Sequence, residues 1–285
     1  VDPKYLDVIR DICRKEKIDV IIPLLDLDIV LFSEVRESFE KGGVRFLLSP
    51  NETIDLAMDK LATFKFLSDH GLPTPDSIIA TEWEKAARQL NFPIIIKPRF
   101  PAKRMAGGYI IQSFQNIAEV TETRPIFEGK EDQYIFQEFL TGTELTVDFF
   151  CDANGKLVSA VPGDRLGALT KAFSKDGGAI NMGKIFHSEY VEGLVRKATE
   201  NLRFFGPANF QAYRNQNGEV KITEINPRFT GATVMTRASG RDFFQWSIDL
   251  LLGKEVKEPA EDFKDVYMSS WLDPIFFEEP PVLSI

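Results

Sequence analysis

The sequence predicts an α/β protein in which a short, partial doubly wound unit precedes a larger α+β body. Three observations carry that reading. The first fifty residues alternate helix-spaced apolar positions with short branched runs, the order that builds a parallel sheet. From about residue 92 strand patterns dominate, broken by glycine-bearing loops. The 285 residues are 44% hydrophobic and 27% charged, an ordinary globular composition with a sizeable core.

The elements follow in order. Tyr5 to Lys17 places Leu6, Ile9 and Cys13 at helical spacing, and Asp19 to Leu24 reads as a buried strand. A second helix carries Val30, Leu31, Val35 and Phe39 on one side and stops at Gly42-Gly43, before a strand over 44–48. A helix over 59–70 ends at Gly71, with Pro73 and Pro75 beyond. A strand over 76–80 precedes Thr81 to Glu84, a capping box that opens a helix to Leu90. Phe92 to Lys97 is an apolar strand ending in lysine, and strands follow over about 109–112, 133–139, 143–151 and 156–162. A polar loop covers 163–184, and a helix over 188–205 ends at Gly206. Strands over 208–214 and 219–225 are joined by Asn215-Gln-Asn-Gly218, and helices over 231–239 and 241–252 close the body. The tail from Glu255 is acidic and proline-rich.

Charge and cysteine usage narrow the function. Thirty-four Lys+Arg against 43 Asp+Glu give −9, a poor match to a nucleic-acid backbone or an anionic membrane. Cys13 and Cys151 form no CxxC pattern and read as reduced thiols of a cytoplasmic protein. No apolar run approaches the roughly 20 residues of a membrane span, since Asp26 and Asp28 break the best candidate, and no leader pattern opens the chain.

Three constellations point to chemistry. With Asn217-Gly218 as a two-residue turn, Gln211 lies opposite Glu224, and Asn226 shares the face of Glu224. Three oxygen-bearing side chains then converge, a donor set that suits Mg²⁺ together with phosphate oxygens and water. Arg228 follows, close enough to clamp a phosphoryl group. Lys60 and Lys97 form a second signal, the latter just before the basic loop 98–108, which holds Lys103, Gly107 and Gly108. The third is Gln137 to Glu144, two strands meeting at a short turn with Gly142, where Glu144 could accept from ribose hydroxyls. Gly178 to Lys184 imitates the start of a P-loop but continues with Ile185 in place of Ser or Thr. Both histidines stand alone, His70 near a helix end and His187 nearer the candidate site.

In this order and spacing Asp59-Lys60, Ile95 to Pro98, Gln137 to Glu144, Gly206 to Gln211 and Glu224 to Arg228 resemble the ATP-grasp superfamily. The likeness covers roughly residues 20–250 and is nearest to a synthetase unit of the carbamoyl-phosphate synthase large subunit and its free-standing relatives. It implies an ATP-grasp fold, with a partial pre-grasp domain over 1–55, the grasp domain over 56–255, a lid about 92–140 and a tail over 256–285. It implies further that Lys60 and Lys97, with Lys103, Gly107 and Gly108 of the cover loop, hold ATP phosphates. Glu138 and the Phe139-Leu140 backbone line the adenine site, and Glu144 takes ribose. Gln211, Glu224 and Asn226 coordinate Mg²⁺, with Mn²⁺ as a substitute, and Arg228 and Lys97 act on the transferring phosphoryl group.

The implied reaction is ligation: ATP activates a carboxylate as an acyl phosphate, which an amine attacks. A phosphoryl transferase and an ATP-binding module without turnover stay open as alternatives. Carbamoyl phosphate itself is not the expected product, because neither a second synthetase half nor an ammonia-generating domain is seen. Relatives begin with further βα units, so Val1 fits a shortened N-terminus. Arg165, Thr170, His187 and Arg237 are candidates for the acceptor site, and homodimerisation is common on such folds.

Overall fold

The computed structural model describes residues 4–100, 111–166 and 182–270 and arranges their strands in three sheets. The N-terminal unit runs α1 (Tyr5–Glu16), β1 (Val20–Ile21), α2 (Asp26–Glu40), β2 (Arg45–Phe46). β1 and β2 pair in parallel, Val20 with Arg45, and α2 supplies the crossover that parallel neighbours need. α2 buries Ile29, Phe32 and Phe39, and the last two rings pack on Phe46 at 5.2 and 5.5 Å between centroids. Leu31, expected on the buried side, is only partly covered.

Helix α3 (Asn51–Met58) is an element the sequence reading left out. Pro50 caps it and Asp59 separates it from α4 (Lys60–Asp69), so its apolar stripe of Ile54, Ala57 and Met58 is too short to announce itself. α4 starts where the chain dictates: the Asp59 side chain accepts from the amides of Leu61 at 3.0 Å and Ala62 at 3.4 Å. His70 ends it, with Nδ1 2.8 Å from the Phe66 carbonyl oxygen.

A four-stranded antiparallel sheet follows, built from β3 (Ser77–Ile79), β4 (Ile94–Pro98), β5 (Gln112–Phe114) and β6 (Tyr134–Glu138) in the order β3-β6-β4-β5. Its apolar face (Ile94, Ile96, Phe114, Phe136) is covered by α5 (Trp83–Gln89) and α6 (Ile117–Thr123) through Ala86 and Val120. The capping box at Thr81 does not form: a 3₁₀ turn over Ala80–Glu82 takes up those residues, and neither helical start has a side-chain cap.

The largest sheet has six antiparallel strands: β7 (Thr143–Cys151), β8 (Leu157–Arg165), β9 (Met182–Ile185), β10 (Gly206–Arg214), β11 (Val220–Asn226) and β12 (Tyr267–Ser269). Their order is β11-β10-β7-β8-β9-β12. One face, with Leu145, Val147, Phe149, Phe210 and Ile225, packs on α4 and on α7 (Glu189–Thr199) and joins the N-terminal unit in one core. On the other face Phe150, Val161 and Ile185 meet α8 (Thr233–Ala238) and α9 (Phe243–Leu251), while the β10–β11 end carries polar side chains.

Two expectations need correction. α7 stops at Thr199, and Gly206 (φ 74°) opens β10 instead of capping a helix, with Leu47 pressed against it. β6 and β7 do not form a hairpin, because they belong to different sheets, so residues 139–142 are a bridge between them. In the described part of the tail Phe263 is buried, stacks on His187 at 3.9 Å, and leads into β12 beside β9.

Candidate functional site

The polar face of β10 and β11 is set by a β-bulge. Near the turn Arg214 pairs with Val220 and Ala212 with Ile222; beyond it Gln211 pairs with Glu224 and Asn209 with Asn226. Thr223 is the extra residue, and its hydroxyl donates to the Gln211 carbonyl oxygen at 3.2 Å. Residues 222 and 224 would share a face of a regular strand. The bulge puts Ile222 in the core and Glu224 opposite Gln211. The expected facing pair is therefore present, but not through a two-residue Asn217-Gly218 turn. The connection is a five-residue loop over 215–219, in which the Asn215 carboxamide oxygen accepts from the amides of Asn217 and Glu219. Longer loop and bulge offset each other.

Glu224 opens into a cleft of about 300 Å³ between the two larger sheets, lined also by Lys60, Lys97, Glu138, Glu144 and Gln211. Lys60 is the first residue of α4 and donates from Nζ to Glu224 Oε1 at 3.1 Å. Lys97 arrives from β4 on the facing wall, its ammonium 5.1 Å from the Phe64 ring centroid. Burial, with the Lys60 charge beside it, holds the Lys97 ammonium down at about 7, and Glu224 offsets only part of that. Burial raises the Glu224 carboxyl, but Lys60, Lys97 and Arg228 outweigh it and keep the group below its ordinary range. The two lysines are tied together through Arg99, which the expected cover loop included. Its guanidinium forks Asp59 (Nε to Oδ1 at 2.8 Å, Nη2 to Oδ2 at 2.5 Å), and its carbonyl accepts from the Lys60 amide at 3.0 Å. Arg99 is thus committed to the protein.

At the other end of the cleft each acid has a cation. Lys221 donates to Glu138, which also accepts from the Asp76 amide at 3.1 Å. Arg165 of β8 donates to Glu144, and Tyr213 is the residue paired with Glu144 across β10 and β7. Burial, then the Glu144 charge, pushes the Tyr213 phenol up. Phe139 and Leu140 line the cleft, but the Phe139 amide is taken by the Pro93 carbonyl at 3.1 Å. Its N–H is therefore not available to a base.

Two clusters escaped the sequence reading. Arg228 is forked by Asp26 of α2, Nε to Oδ1 at 2.5 Å and Nη2 to Oδ2 at 3.2 Å. Asp148 is buried under the sheet face and accepts from Asn209 at 2.9 Å, Thr230 at 3.0 Å and Thr236 at 2.8 Å. Burial raises its carboxyl, and those bonds pull the other way. The alternation of Glu144, Thr146 and Asp148 with Leu145, Val147 and Phe149 was a signal for the second cluster. Nothing in the sequence announced the first.

The remaining candidates divide. Lys103, Gly107, Gly108 and Thr170 lie outside the described residues, as does most of the P-loop imitation. His187 donates from Nε2 to the Phe263 carbonyl oxygen at 2.8 Å and serves the tail. Arg237 pairs with Asp242 on the surface. For a metal, Gln211, Glu224 and Asn226 offer oxygen donors and one carboxylate on one face, and Nδ2 of the nearly buried Asn226 has no partner. That set fits Mg²⁺, which completes its shell with phosphate oxygens and water.

Comparison with known proteins bears on the family and the fold. The family described as ATP-grasp in the biosynthetic pathway with Ter operon matches residues 130–273. The PylC-like N-terminal domain matches residues 1–47. The carbamoyl phosphate synthase large chain of Clostridium acetobutylicum is 23% identical over 267 residues, covering 89% of this chain and 24% of that one. The arginine-specific large chain of Bacillus subtilis is 23% identical over 266 residues, with 90% and 25% covered. The chain thus spans about a quarter of the length of these relatives. Among solved structures, biotin carboxylase of Campylobacter jejuni, a β-γ-ATP complex, superposes with a TM-score of 0.71 at 16% identity, covering 90% of this chain and 60% of that one. N5-carboxyaminoimidazole ribonucleotide synthetase of Thermotoga maritima gives 0.61 at 17%, covering 92% and 65%. These likenesses are of fold.

Proposed function

The chain belongs to the ATP-grasp family, and from that membership we propose that it is an ATP- and Mg²⁺-dependent ligase joining a carboxylate to an amine. The observation that carries the reading is the cleft itself: Lys60 and Lys97 stand against the Glu224–Gln211 pair, with Arg228 close enough to Glu224 to depress its carboxyl. Such a site can hold a triphosphate, a divalent cation and a transferring phosphoryl group at once.

Phosphoryl transfer asks mainly for position and charge neutralisation, and this site supplies both without a nucleophilic side chain. Lys60 and Lys97 hold phosphate oxygens, and Lys97 takes up a proton as the anionic ligand arrives. Glu138, Phe139, Leu140 and Glu144 form the nucleoside end, with Arg165 fixing the Glu144 carboxylate. Gln211, Glu224 and Asn226 would hold Mg²⁺ (or Mn²⁺), which neutralises phosphate charge when bound. The substrate carboxylate oxygen attacks the γ-phosphorus, the bond to the bridging oxygen breaks, and ADP leaves. The acyl phosphate then loses inorganic phosphate as the amine nitrogen attacks its carbonyl carbon and gives up a proton. Arg228 steadies the phosphoryl group in both steps. Lys103, Gly107 and Gly108 would add phosphate contacts in this scheme.

The same reading takes residues 1–55 as the pre-grasp unit and 56–255 as the grasp domain, places the protein in the cytoplasm, and assigns it small-molecule partners and a homodimer. No helix among the described residues is long and apolar enough to cross a membrane. One titration tests the proposal. A non-hydrolysable ATP analogue should bind at micromolar concentration only with Mg²⁺, and ADP release should need a carboxylate and rise with an amine. Absence of nucleotide binding refutes it.

A further inference from the structure

Arg228 meets an acid from the far end of the sequence. Asp26 opens α2 in the N-terminal unit, 202 residues away, and its two carboxylate oxygens take Nε and Nη2 of the guanidinium. Nη1 donates to the Phe229 carbonyl at 3.1 Å. A guanidinium has five N–H donors in a fixed plane. Three are used here, and one N–H on each terminal nitrogen remains for a ligand oxygen. The pair is partly shielded, with the side chains 21% and 31% exposed.

This arrangement does two things. A long arginine side chain loses considerable rotamer freedom when it is held, and the bidentate fork supplies that restriction before substrate arrives. The fork also fixes the plane of the guanidinium, so the two unused donors have a set direction. The residue that follows β11 by two positions is therefore aimed by an element of a different sheet unit, not by its own strand.

We propose that Asp26 is a positioning residue for the phosphoryl chemistry: it aims the guanidinium of Arg228, so that the N-terminal unit completes the phosphoryl end of the site. This rests on the ligase reading above and adds to it a residue that does not touch substrate. Asp28, two residues on, accepts instead from the Tyr5 hydroxyl at 3.2 Å and serves as an internal control on the same helix end.

The test compares affinities for MgADP and for the magnesium complex of the β,γ-imido triphosphate. Wild type should prefer the triphosphate. Asp26→Asn and Asp26→Ala should bind MgADP within about twofold of wild type and lose roughly tenfold of the triphosphate preference, the scale of one charge-assisted fork. Asp26→Glu should recover part of it, and Asp28→Asn should lose none. Arg228→Ala should show the same loss, and adding Asp26→Asn to it should cost nothing further. Unchanged preference in both Asp26 variants, with loss in Arg228→Ala, overturns the positioning role while leaving the ligase reading intact. Equal weakening of MgADP and triphosphate overturns it too, since that marks a general structural role. Wild-type protein that binds neither nucleotide overturns the ligase reading and this inference together. Thermal melting of each variant excludes misfolding as the cause.

Discussion

Nucleotide binding should draw a proton onto Lys97. The ammonium sits beside Lys60 in a desolvated wall, which brings it from 10.5 to about 7. At about 1.36 kcal/mol per unit, that shift corresponds to a cost on the order of 5 kcal/mol for carrying the charge in the empty cleft. A triphosphate offsets both causes, burial and the Lys60 charge, by matching both lysines with anionic oxygens. At pH 8 about nine-tenths of Lys97 is neutral before binding, so nearly one proton is taken up; at pH 6 the uptake falls to about a tenth. Calorimetry of the ATP analogue in buffers of different ionisation enthalpy reads that number directly. Lys97→Gln should abolish the buffer dependence at pH 8, and Lys97→Arg, always charged, should abolish it while retaining more affinity. Equal heats in all buffers for wild type, or an unchanged dependence in Lys97→Gln, would refute the account. The ligand-free protein offers a second check. Its unfolded chain keeps the proton up to 10.5 while the folded one releases it near 7. Stability from this group is therefore lowest below pH 7 and rises as pH climbs from 7 toward 10.5. The difference in melting between wild type and Lys97→Gln should shrink across that window.

Other outcomes follow from the same packing and charges. Glu224→Ala should end Mg²⁺-dependent ADP release and cost about 1–3 kcal/mol in urea, because Lys60 loses its acceptor; full activity would sink the metal assignment. Gly142→Ala should lower the urea midpoint by the equivalent of about 2–3 kcal/mol or more, since at φ 128° its methyl carbon would stand 2.2 Å from the Arg214 carbonyl oxygen. Phe150→Ala, which empties a fully buried site against Phe243 and Trp246, should cost about 3–5 kcal/mol without changing the affinity for nucleotide.

What could be read in advance depended on how local the cause was. Lys97 at the end of an apolar strand and the Gln211–Glu224 pair both follow from neighbours within a few positions. The pairing was reached through the wrong turn, because a bulge at Thr223 is invisible to strand periodicity and happened to restore the register. The Asp26–Arg228 and Asp59–Arg99 forks join positions 202 and 40 residues apart, and nothing in either segment marks its partner. Likewise the sheet change between β6 and β7 looks locally like any short turn. Gly142 is there because Arg214 passes so close, which is a fact about the third dimension.

The four-stranded sheet is attached to the rest of the molecule in a way that has a mechanical meaning. Its two chain connections, 73–76 and 139–142, lie side by side: Asp76 exchanges bonds with Glu138, and Pro73 and Thr74 grip Ile222 of β11. At the opposite end, among the described residues, Arg99 bonds to Asp59 and Lys60 and the Lys97 ammonium lies over the Phe64 ring. A plate held along one margin by paired straps and at the other by side-chain ties swings about the straps when those ties open. A nucleoside at the strap end would then stay nearly still while the lysine end sweeps the widest arc. Opening at the lysine end and holding at the strap end would become separable events, governed by the Arg99–Asp59 fork and the Lys97–Phe64 contact.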